Sequence, residues 1–599
     1  MPVKRTFGWV QNPGDLKKLK SVIGIFELDS AANINLRENR LPLLLNYSLI
    51  SSTDYEIFQE KLSRTEIEIE YSILKGKGAG KLGRKNALCT GIVQAIIDAQ
   101  STRTYTDKDR IAVTIKKPYT DDWTADGYLR WAVSCELLDY NNTTDTCKIS
   151  ELGRKLALAE DNSDDEKNAL EQALLAYPPV IRILTLLKEY GEQTKFELGS
   201  RFGFVGESGF TSVPQEIFLY DYCHAPDKEK SEIRGNFEGD SDKYARGIAS
   251  WLKQMGWIVN SNKTVTEEYH NETFSMTLQS YKITRDGEKA LKKANGNSSN
   301  PKLPRVVMFE MLASNKTLDA DYIRLQRAQI LKVLSGNGKT LSQIQTQLKN
   351  REINLSESAI QDHLSGLKSV GINIIERAGN YRLADKVIKL EIPRQILRTE
   401  TDMSELKDKV RDKLKTVNHK YLSLIDLAYS NASTKTKKNS DAREFEIQTA
   451  ELFTKELNFS GMRLGDSNRP DIIISYETNG TIIDNKSYAD GFNIDKHNAD
   501  EMSRYINENS RRIPGVPPNE WWKNFDENVT NYTFLFVTSF LKGRFEEQLK
   551  YISRTQGGIK GAAIGVENLL YLAENLKSGK ISHSDFYSKF NNSEIICNQ

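Results

Sequence analysis

Apolar residues along this chain recur at helical spacing, then switch to short alternating runs, and they do so in the same order three times. Residues 128–140 predict a helix running into a strand. After a polar turn, Cys147-Lys148-Ile149-Ser150 predicts the returning strand, with Gly153 and Lys155 in a new helix. Residues 244–259, ending in IASWLKQMGWIV, repeat the helix and strand, and Tyr281-Lys282-Ile283-Thr284 the return, with Gly287 and Lys289 beyond. Both returns carry K-I-[ST]-x-x-G-x-K, a string too specific for coincidence. A looser third copy spans residues 359–390, with AIQDHLSGLKSVG as helix, INIIE and YRLAD as strands and Gly379-Asn380 as the turn.

Helix, helix, then a two-stranded hairpin is the order of a winged helix-turn-helix, whose second helix usually enters the DNA major groove. Upstream helices are expected at residues 87–100, 179–190 and 321–334, with an extra one, TLSQIQTQLKN, in the third copy. Winged helices also serve as protein-interaction modules; three in one chain favour nucleic acid. NGNSSNPKLP, residues 295–304, looks like a linker, and a further boundary falls at residues 392–403. Beyond it, helices at 405–415 and 442–457 precede strands at 471–475, 481–484 and 532–538, which predicts an α/β or α+β domain. The polar run 431–440 reads as an exposed loop. The expected division is 1–160, 161–297 and 298–392 for the three units, 393–403 for a linker and 404–599 for the last domain.

Composition narrows the class. At 599 residues the chain has room for about four domains. It is 38% hydrophobic and 27% charged, too apolar for a mostly disordered protein. Lys and Arg total 83 against 81 Asp and Glu, so nucleic-acid binding would rest on local basic surfaces, not bulk charge. The five cysteines are scattered, with no C-x-x-C pair, which argues against a disulfide scaffold or structural zinc site. No run approaches the ~18 apolar residues of a membrane span, and the first residues, MPVKRTF, show no export signal. A cytoplasmic setting is expected.

The residues with the strongest chemical content are Pro470-Asp471 before III, and Asp484-Asn485-Lys486 after Ile482-Ile483. Alternation in a strand points Asp484 and Lys486 the same way. If the two strands form a hairpin through a six-residue loop, residues 475–480, Asp471 lies opposite Asp484 on that face; a tight Asn479-Gly480 turn would slide it four residues away. Two converging carboxylates need a cation, and Mg²⁺ with oxygen ligands suits them. A water with lowered pKa can then attack a phosphodiester, with Lys486 adding positive charge beside it. This is the P-D…D-x-K signature of metal-dependent nucleases. D-x-K alone means little in so charged a chain, and a structural Asp484–Lys486 ion pair is the plain alternative.

Other motifs fail. GNGKT at residues 336–340 has Val333 where a Walker loop needs glycine, and a helix precedes it. GKGAGKLG at 76–83 reads as a flexible basic loop. His497 reads as a surface residue, Pro226-Asp227 as part of a solvated helix and Trp521-Trp522 as a core anchor.

The strings RPDIIISY…IIDNKSYADGFNI, NADEMSRYINEN, PNEWWKNF, FLFVTSFLKGRF and KFNNSEII resemble the cleavage domain of the FokI-type (type IIS) restriction endonucleases. RTFGWVQNPG, DGYLRWA, YPPVIRILTLL, GESGFTS and EIRGNFEGDSDKYARGIASW extend the resemblance through the N-terminal half, with the StsI branch as nearest. It implies three winged-helix recognition subdomains followed by an α/β PD-(D/E)xK nuclease domain, and Mg²⁺-dependent cutting of both strands of double-stranded DNA at a fixed distance outside a short asymmetric, GGATG-type site. Asp471 and Asp484 would hold the metal, with the Asn485 carbonyl as a further ligand, and Lys486 would assist the water. Gln11 and Asn12 would contact DNA from an N-terminal arm, Arg84 and Gln100 from the first unit, Glu238, Lys243 and Arg246 from the second. Gly235 replaces an asparagine of the family prototype, so that contact is lost or passes to Asn236. The third unit would make mainly protein contacts, holding the cleavage domain against the recognition domains.

One P-D…D-x-K site cuts one strand, so double-strand cutting calls for a second copy. Asp500 and Arg504, one helical turn apart, could pair reciprocally across a two-fold axis in a transient homodimer on DNA, as the equivalent pair does in the family; an intrahelical salt bridge is the alternative. The rival class is a non-catalytic winged-helix regulator whose last domain only dimerises, and a methyltransferase or translocase is disfavoured for want of a cofactor loop.

Overall fold

The structure is a computed structural model that describes the chain apart from residues 1–6, 11–13, 47–49, 76–100, 107–111, 118–121, 205, 208–209, 211, 242–243, 271, 297–300, 315–318, 394–401, 431–434, 466–467, 516–519 and 598–599. The expected helix at 87–100 and the loop at 76–83 therefore lie outside the described residues, as do Gln11, Asn12, Arg84, Gln100 and Lys243.

All three repeats form a helix followed by a hairpin. The first runs from helix Asp122–Ser134 into strands Leu138–Asn141 and Thr146–Ile149, the second from Ala245–Gln254 into Ile258–Tyr269 and Glu272–Ile283, the third from Glu357–Ser369 into Ile374–Arg377 and Asn380–Leu383. In each, an upstream segment adds to the returning strand: Glu68–Glu70 in the first, Gln193–Thr194 in the second and a single bridge from Lys339 to Tyr381 in the third. The second hairpin is the longest, with 12 residues per strand.

The shared string has a physical explanation. Ser150 and Thr284 are N-caps, accepting hydrogen bonds from the amides of Gly153 and Gly287 at 2.9 and 3.1 Å. Each hydroxyl also donates backward, to the carbonyls of Glu136 and Gly256. The glycines are required because a Cβ at Gly153 would stand 2.0 Å from Leu137 O, and one at Gly287 would stand 2.1 Å from Trp257 O. The string thus locks the helix after the hairpin onto the turn before it.

Residues near the N-terminus tie the units together. Phe7, Trp9 and Val10 are buried; Gly8 N donates to Ser134 Oγ at 2.9 Å, and Trp9 Nε1 to the Met311 carbonyl at 3.1 Å. Gly8 has φ +93°, and a Cβ there would overlap Met311. What the sequence suggests is an arm is, up to Val10, a core strand of the recognition half. Trp131 and Trp251, from equivalent helices of the first two units, stack at 4.0 Å. Buried Arg305 donates to the carbonyls of Leu175, Ala294 and Leu303. A buried cation is tolerated only with its donors matched in this way.

The last domain is built on a six-stranded mixed sheet in the order Ser460–Arg463, Ile472–Tyr476, Asn479–Lys486, Asn531–Thr538, Lys560–Gly565, Ser593–Glu594. The first three strands pair antiparallel and the rest parallel. Ile472, Ile474, Ile483, Leu535 and Val537 join one core cluster with helix Val566–Lys577. Ile473, Ile482, Phe534 and Phe536 join another with helices Lys496–Arg511 and Phe545–Thr555. Burial on both faces explains why these strands read as unbroken apolar runs.

Three boundaries differ from the sequence reading. The first helix is Asp402–Lys413. The second begins at Lys435, inside the run read as a loop, and passes at Leu452–Glu456 into a π-helical turn. Polar residues there lack the apolar periodicity that signals a helix, but none forbids one. The hairpin between Tyr476 and Asn479 closes in two residues, Glu477 and Thr478, not six, with Glu477 at φ +51°.

The cleavage domain docks on two units. From the third, Asp362 Oδ2 meets Arg411 Nε at 3.0 Å and His419 Nδ1 at 2.7 Å, and Asp319 Oδ2 accepts from Ser404. From the second come Phe218, Tyr269 and Phe274, which share a core cluster with Ile447, Met462 and Leu464. Contacts to the third unit are thus joined by a larger apolar contact with the second. Among the described residues, no single helix is long and apolar enough to cross a membrane.

Gly287→Ala is expected to cost about 1–3 kcal/mol by forcing Trp257 O away from the helix. A thermal melt of the full chain that matches wild type would refute this reading of the string.

Candidate active site

Hairpin register decides the site. Ile472 pairs with Ile483, Ile473 with Ile482 and Ile474 with Thr481, so one further step sets Asp471 beside Asp484. This is the pairing that the chemistry requires. It is reached with a shorter loop because Ser475 and Tyr476 also enter the ladder, opposite Gly480 and Asn479. Asp471 Oδ2 accepts from the Asn485 amide at 2.7 Å, and Lys486 Nζ lies 2.8 Å from Asp484 Oδ2. The group stands at the C-terminal end of strand Asn479–Lys486, where Asp484 pairs with Phe536 and Lys486 with Thr538 of the parallel neighbour. In open α/β sheets that end is where ligands bind.

Asp484 is buried at 3% exposure. Burial raises the pKa of both aspartates, and Asp471 is pushed well up, further by the negative charges of Glu446 and Asp484. Burial opposes charge on Lys486, but the Asp484, Glu501 and Asp471 carboxylates outweigh it and raise the lysine pKa. Such strongly perturbed, coupled groups at a strand end mark a functional site.

A divalent cation fits. Asp484 Oδ2 and Asn485 Oδ1 are buried oxygens that accept no well-aligned hydrogen bond, and the aspartates repel each other as they stand. Among the described residues, no three His, Cys, Asp and Glu side chains converge as a ready-made metal cage. Two carboxylates with waters and substrate oxygens is the usual arrangement for Mg²⁺. The Asn485 side chain is engaged elsewhere, donating to Thr449 Oγ1 at 2.8 Å.

Sequence reasoning missed four neighbours. Glu446, on helix Lys435–Glu451, pairs with Arg463 Nε at 2.9 Å, and Arg463 also reaches Asp221 of the second unit at 3.9 Å. Glu501, on helix Lys496–Arg511, lies 3.3 Å from Lys486 Nζ, and its other oxygen accepts from Tyr505 OH at 3.1 Å. No local motif marks them, because they come from other elements; the amphipathic run around NADEMSRYINEN was the only signal.

The remaining candidates are dispersed. Arg246 is exposed in the first turn of helix Ala245–Gln254, and Asn236 is exposed on helix Asp227–Ser241. Glu238 is held by Lys195 at 2.8 Å and Arg234 at 2.9 Å, so those ion pairs must open before it can accept from a base. Asp500 is exposed, and Arg504 pairs not with it but with Glu508 at 3.5 Å. His497 is exposed, and both tryptophans of the Trp521-Trp522 pair are buried.

This architecture is shared with known proteins. Residues 400–596 match the family model described as the FokI cleavage domain. Residues 5–159 and 166–299 match subdomains 1 and 2 of the FokI recognition domain, and 312–379 the FokI D3 domain. The chain is 36% identical over 604 residues to the type II restriction enzyme FokI of Planomicrobium okeanokoites, covering 99% of each. It is 31% identical over 591 residues to StsI of Streptococcus sanguinis, covering 95% of this chain and 92% of that one. Of these two, FokI has the higher identity, against the expected nearness to StsI. Solved structures of FokI alone and bound to DNA superpose with a TM-score of 0.86, at 34% and 35% identity, over 99% of this chain and 100% of theirs. The chain belongs to the FokI family of type II restriction endonucleases, of the type IIS subclass.

The raised aspartate pKa values predict a trade between stability and chemistry. A carboxyl whose pKa is higher folded than unfolded makes the folded state bind protons more readily, so stability falls as pH rises above the ordinary carboxylate range. Asp471→Asn should therefore melt at a higher temperature than wild type at pH 7 in chelator, with the gap narrowing toward pH 4. Equal melting at both pH values would show that the pair is not strained.

Proposed function

We propose that this enzyme binds a short asymmetric double-stranded DNA site, of the GGATG type, through its first two units read as winged helices, and cuts both strands at a fixed distance outside it. The observation that supports it most is the convergence of Asp471, Asp484 and Lys486 on one sheet face, remote from the exposed Arg246 of the second unit's helix. Reading and cutting then lie on separate bodies, and the offset follows from their geometry. The expected division at 160, 297, 392 and 403 is part of this reading.

Type II restriction endonucleases in general need a divalent metal, here Mg²⁺ held by Asp471 and Asp484, with the Asn485 carbonyl as a further ligand. When bound, such an ion supplies a water of lowered pKa and positive charge against the oxygens at phosphorus. Asp471 is oriented for this by the Asn485 amide. Lys486 brings a second positive charge that stabilises the developing oxyanion and orients the attacking water. Arg246, with Lys243, suits guanine O6 and N7, Gln11, Asn12, Gln100 and Asn236 suit adenine, Arg84 suits guanine, and Glu238, once released, suits cytosine N4.

Cutting the second strand calls for a second cleavage domain in a transient homodimer. Asp500, exposed, and Arg504, engaged only at 3.5 Å, are available to pair across a two-fold axis.

Asp471→Ala and Lys486→Ala should each lower cleavage at least about 1,000-fold while leaving sequence-specific binding in chelator intact; normal plasmid cutting by either sinks the catalytic assignment. Sequencing the ends of digested DNA should return one site and one constant offset. Asp500→Arg and Arg504→Asp should each be inactive alone and regain cutting when mixed, and a lack of recovery would remove the pair from the dimer contact.

A further inference from the structure

Lys486 stands between two acids. Its ammonium is 2.8 Å from Asp484 Oδ2 and 3.3 Å from Glu501 Oε2. Glu501 is itself held, because Tyr505 OH donates to its other oxygen at 3.1 Å, one helical turn away. Tyr505 is buried at 3% exposure, packed edge-on to Trp521 at 6.3 Å, and Arg504 lies over its ring at 4.7 Å. Trp521 Nε1 in turn donates to Glu508 Oε2 at 2.9 Å. Glu501 is therefore a fixed acid on a helix locked to the domain core.

The arrangement answers a conflict in the site. An ammonium resting on Asp484 competes with any cation that carboxylate is to hold, and like charges so close are costly. Lysine has three donors on a flexible stem and can move to a second acceptor if one is placed within reach. Glu501 is that acceptor.

We propose that Glu501, oriented by Tyr505, is a positioning residue for Lys486. It draws the ammonium off Asp484 so that this carboxylate can take a divalent cation, and it fixes where the lysine charge then sits. The inference rests on the reading of Asp471, Asp484 and Lys486 as the cleavage site. It also gives the helix bearing Asp500 and Arg504 a direct line to the catalytic lysine, since Glu501 and Tyr505 adjoin that pair in sequence.

The test uses the full-length protein, with Mn²⁺ as the probe followed by its electron paramagnetic resonance signal without DNA. Glu501→Gln should weaken Mn²⁺ binding about tenfold and slow single-turnover cleavage about 100-fold, with DNA affinity in chelator within about twofold of wild type. Tyr505→Phe should shift both in the same direction by less. In a Lys486→Ala background, Glu501→Gln should leave Mn²⁺ affinity unchanged, because nothing remains to be repositioned. An equal loss in that background would mean that Glu501 acts directly through its charge, and the proposal falls. It falls too if Glu501→Gln binds Mn²⁺ and cuts as wild type, or if its defect vanishes as enzyme concentration is raised, which would mark an assembly fault. Normal cutting by Asp471→Ala would instead remove the cleavage-site reading beneath it.

Discussion

Two carboxylates held side by side in a buried position are the constraint on which the site depends. Asp471 and Asp484 face each other because Ile472 pairs with Ile483 and the ladder continues in both directions. A slip of one residue would send one of them to the opposite face, among Ile472, Ile483 and Val537. The folded protein thus maintains a repulsion it could have avoided, and the Ile-rich strands on either side supply the burial that keeps the register fixed. Local strain of this kind persists only where the surroundings over-determine it.

The same sheet joins cutting to reading. Its second face continues through Ile447, Met462 and Leu464 into Phe218, Tyr269 and Phe274 of the second unit. Arg463 spans the junction, touching Glu446 beside the site and Asp221 beyond it. The third unit adds the Asp362–Arg411–His419 contact. Apolar area supplies the adhesion, while ion pairs fix orientation, and the latter weaken with salt to the extent that they are exposed.

The recognition half is one body with three similar units. Buried Phe7, Trp9 and Val10, the Trp131–Trp251 stack and the fully buried Arg305 all lie at junctions between units. Each bonds to more than one unit, so none has a local signature. The repeats, by contrast, have one: a capping Ser or Thr, then a glycine under a carbonyl, is a requirement met within about twenty residues and so is written into the string.

What the chain alone determined is whatever depends on near neighbours. Period-2 and period-3.6 patterns marked most helices and strands, the K-I-[ST]-x-x-G-x-K string marked two helix starts, and strand parity put Asp484 and Lys486 on one face. The resemblance supplied the family. Helix Lys435–Glu451 was hidden because its first turns are polar and its packing comes later. Only the tertiary structure decided which hairpin register is used, which unit the cleavage domain leans on, and that Glu446 and Glu501 join the aspartates from helices on either side. The physical reason is distance along the chain: a charge–charge contact leaves no trace in either segment until folding brings the two together.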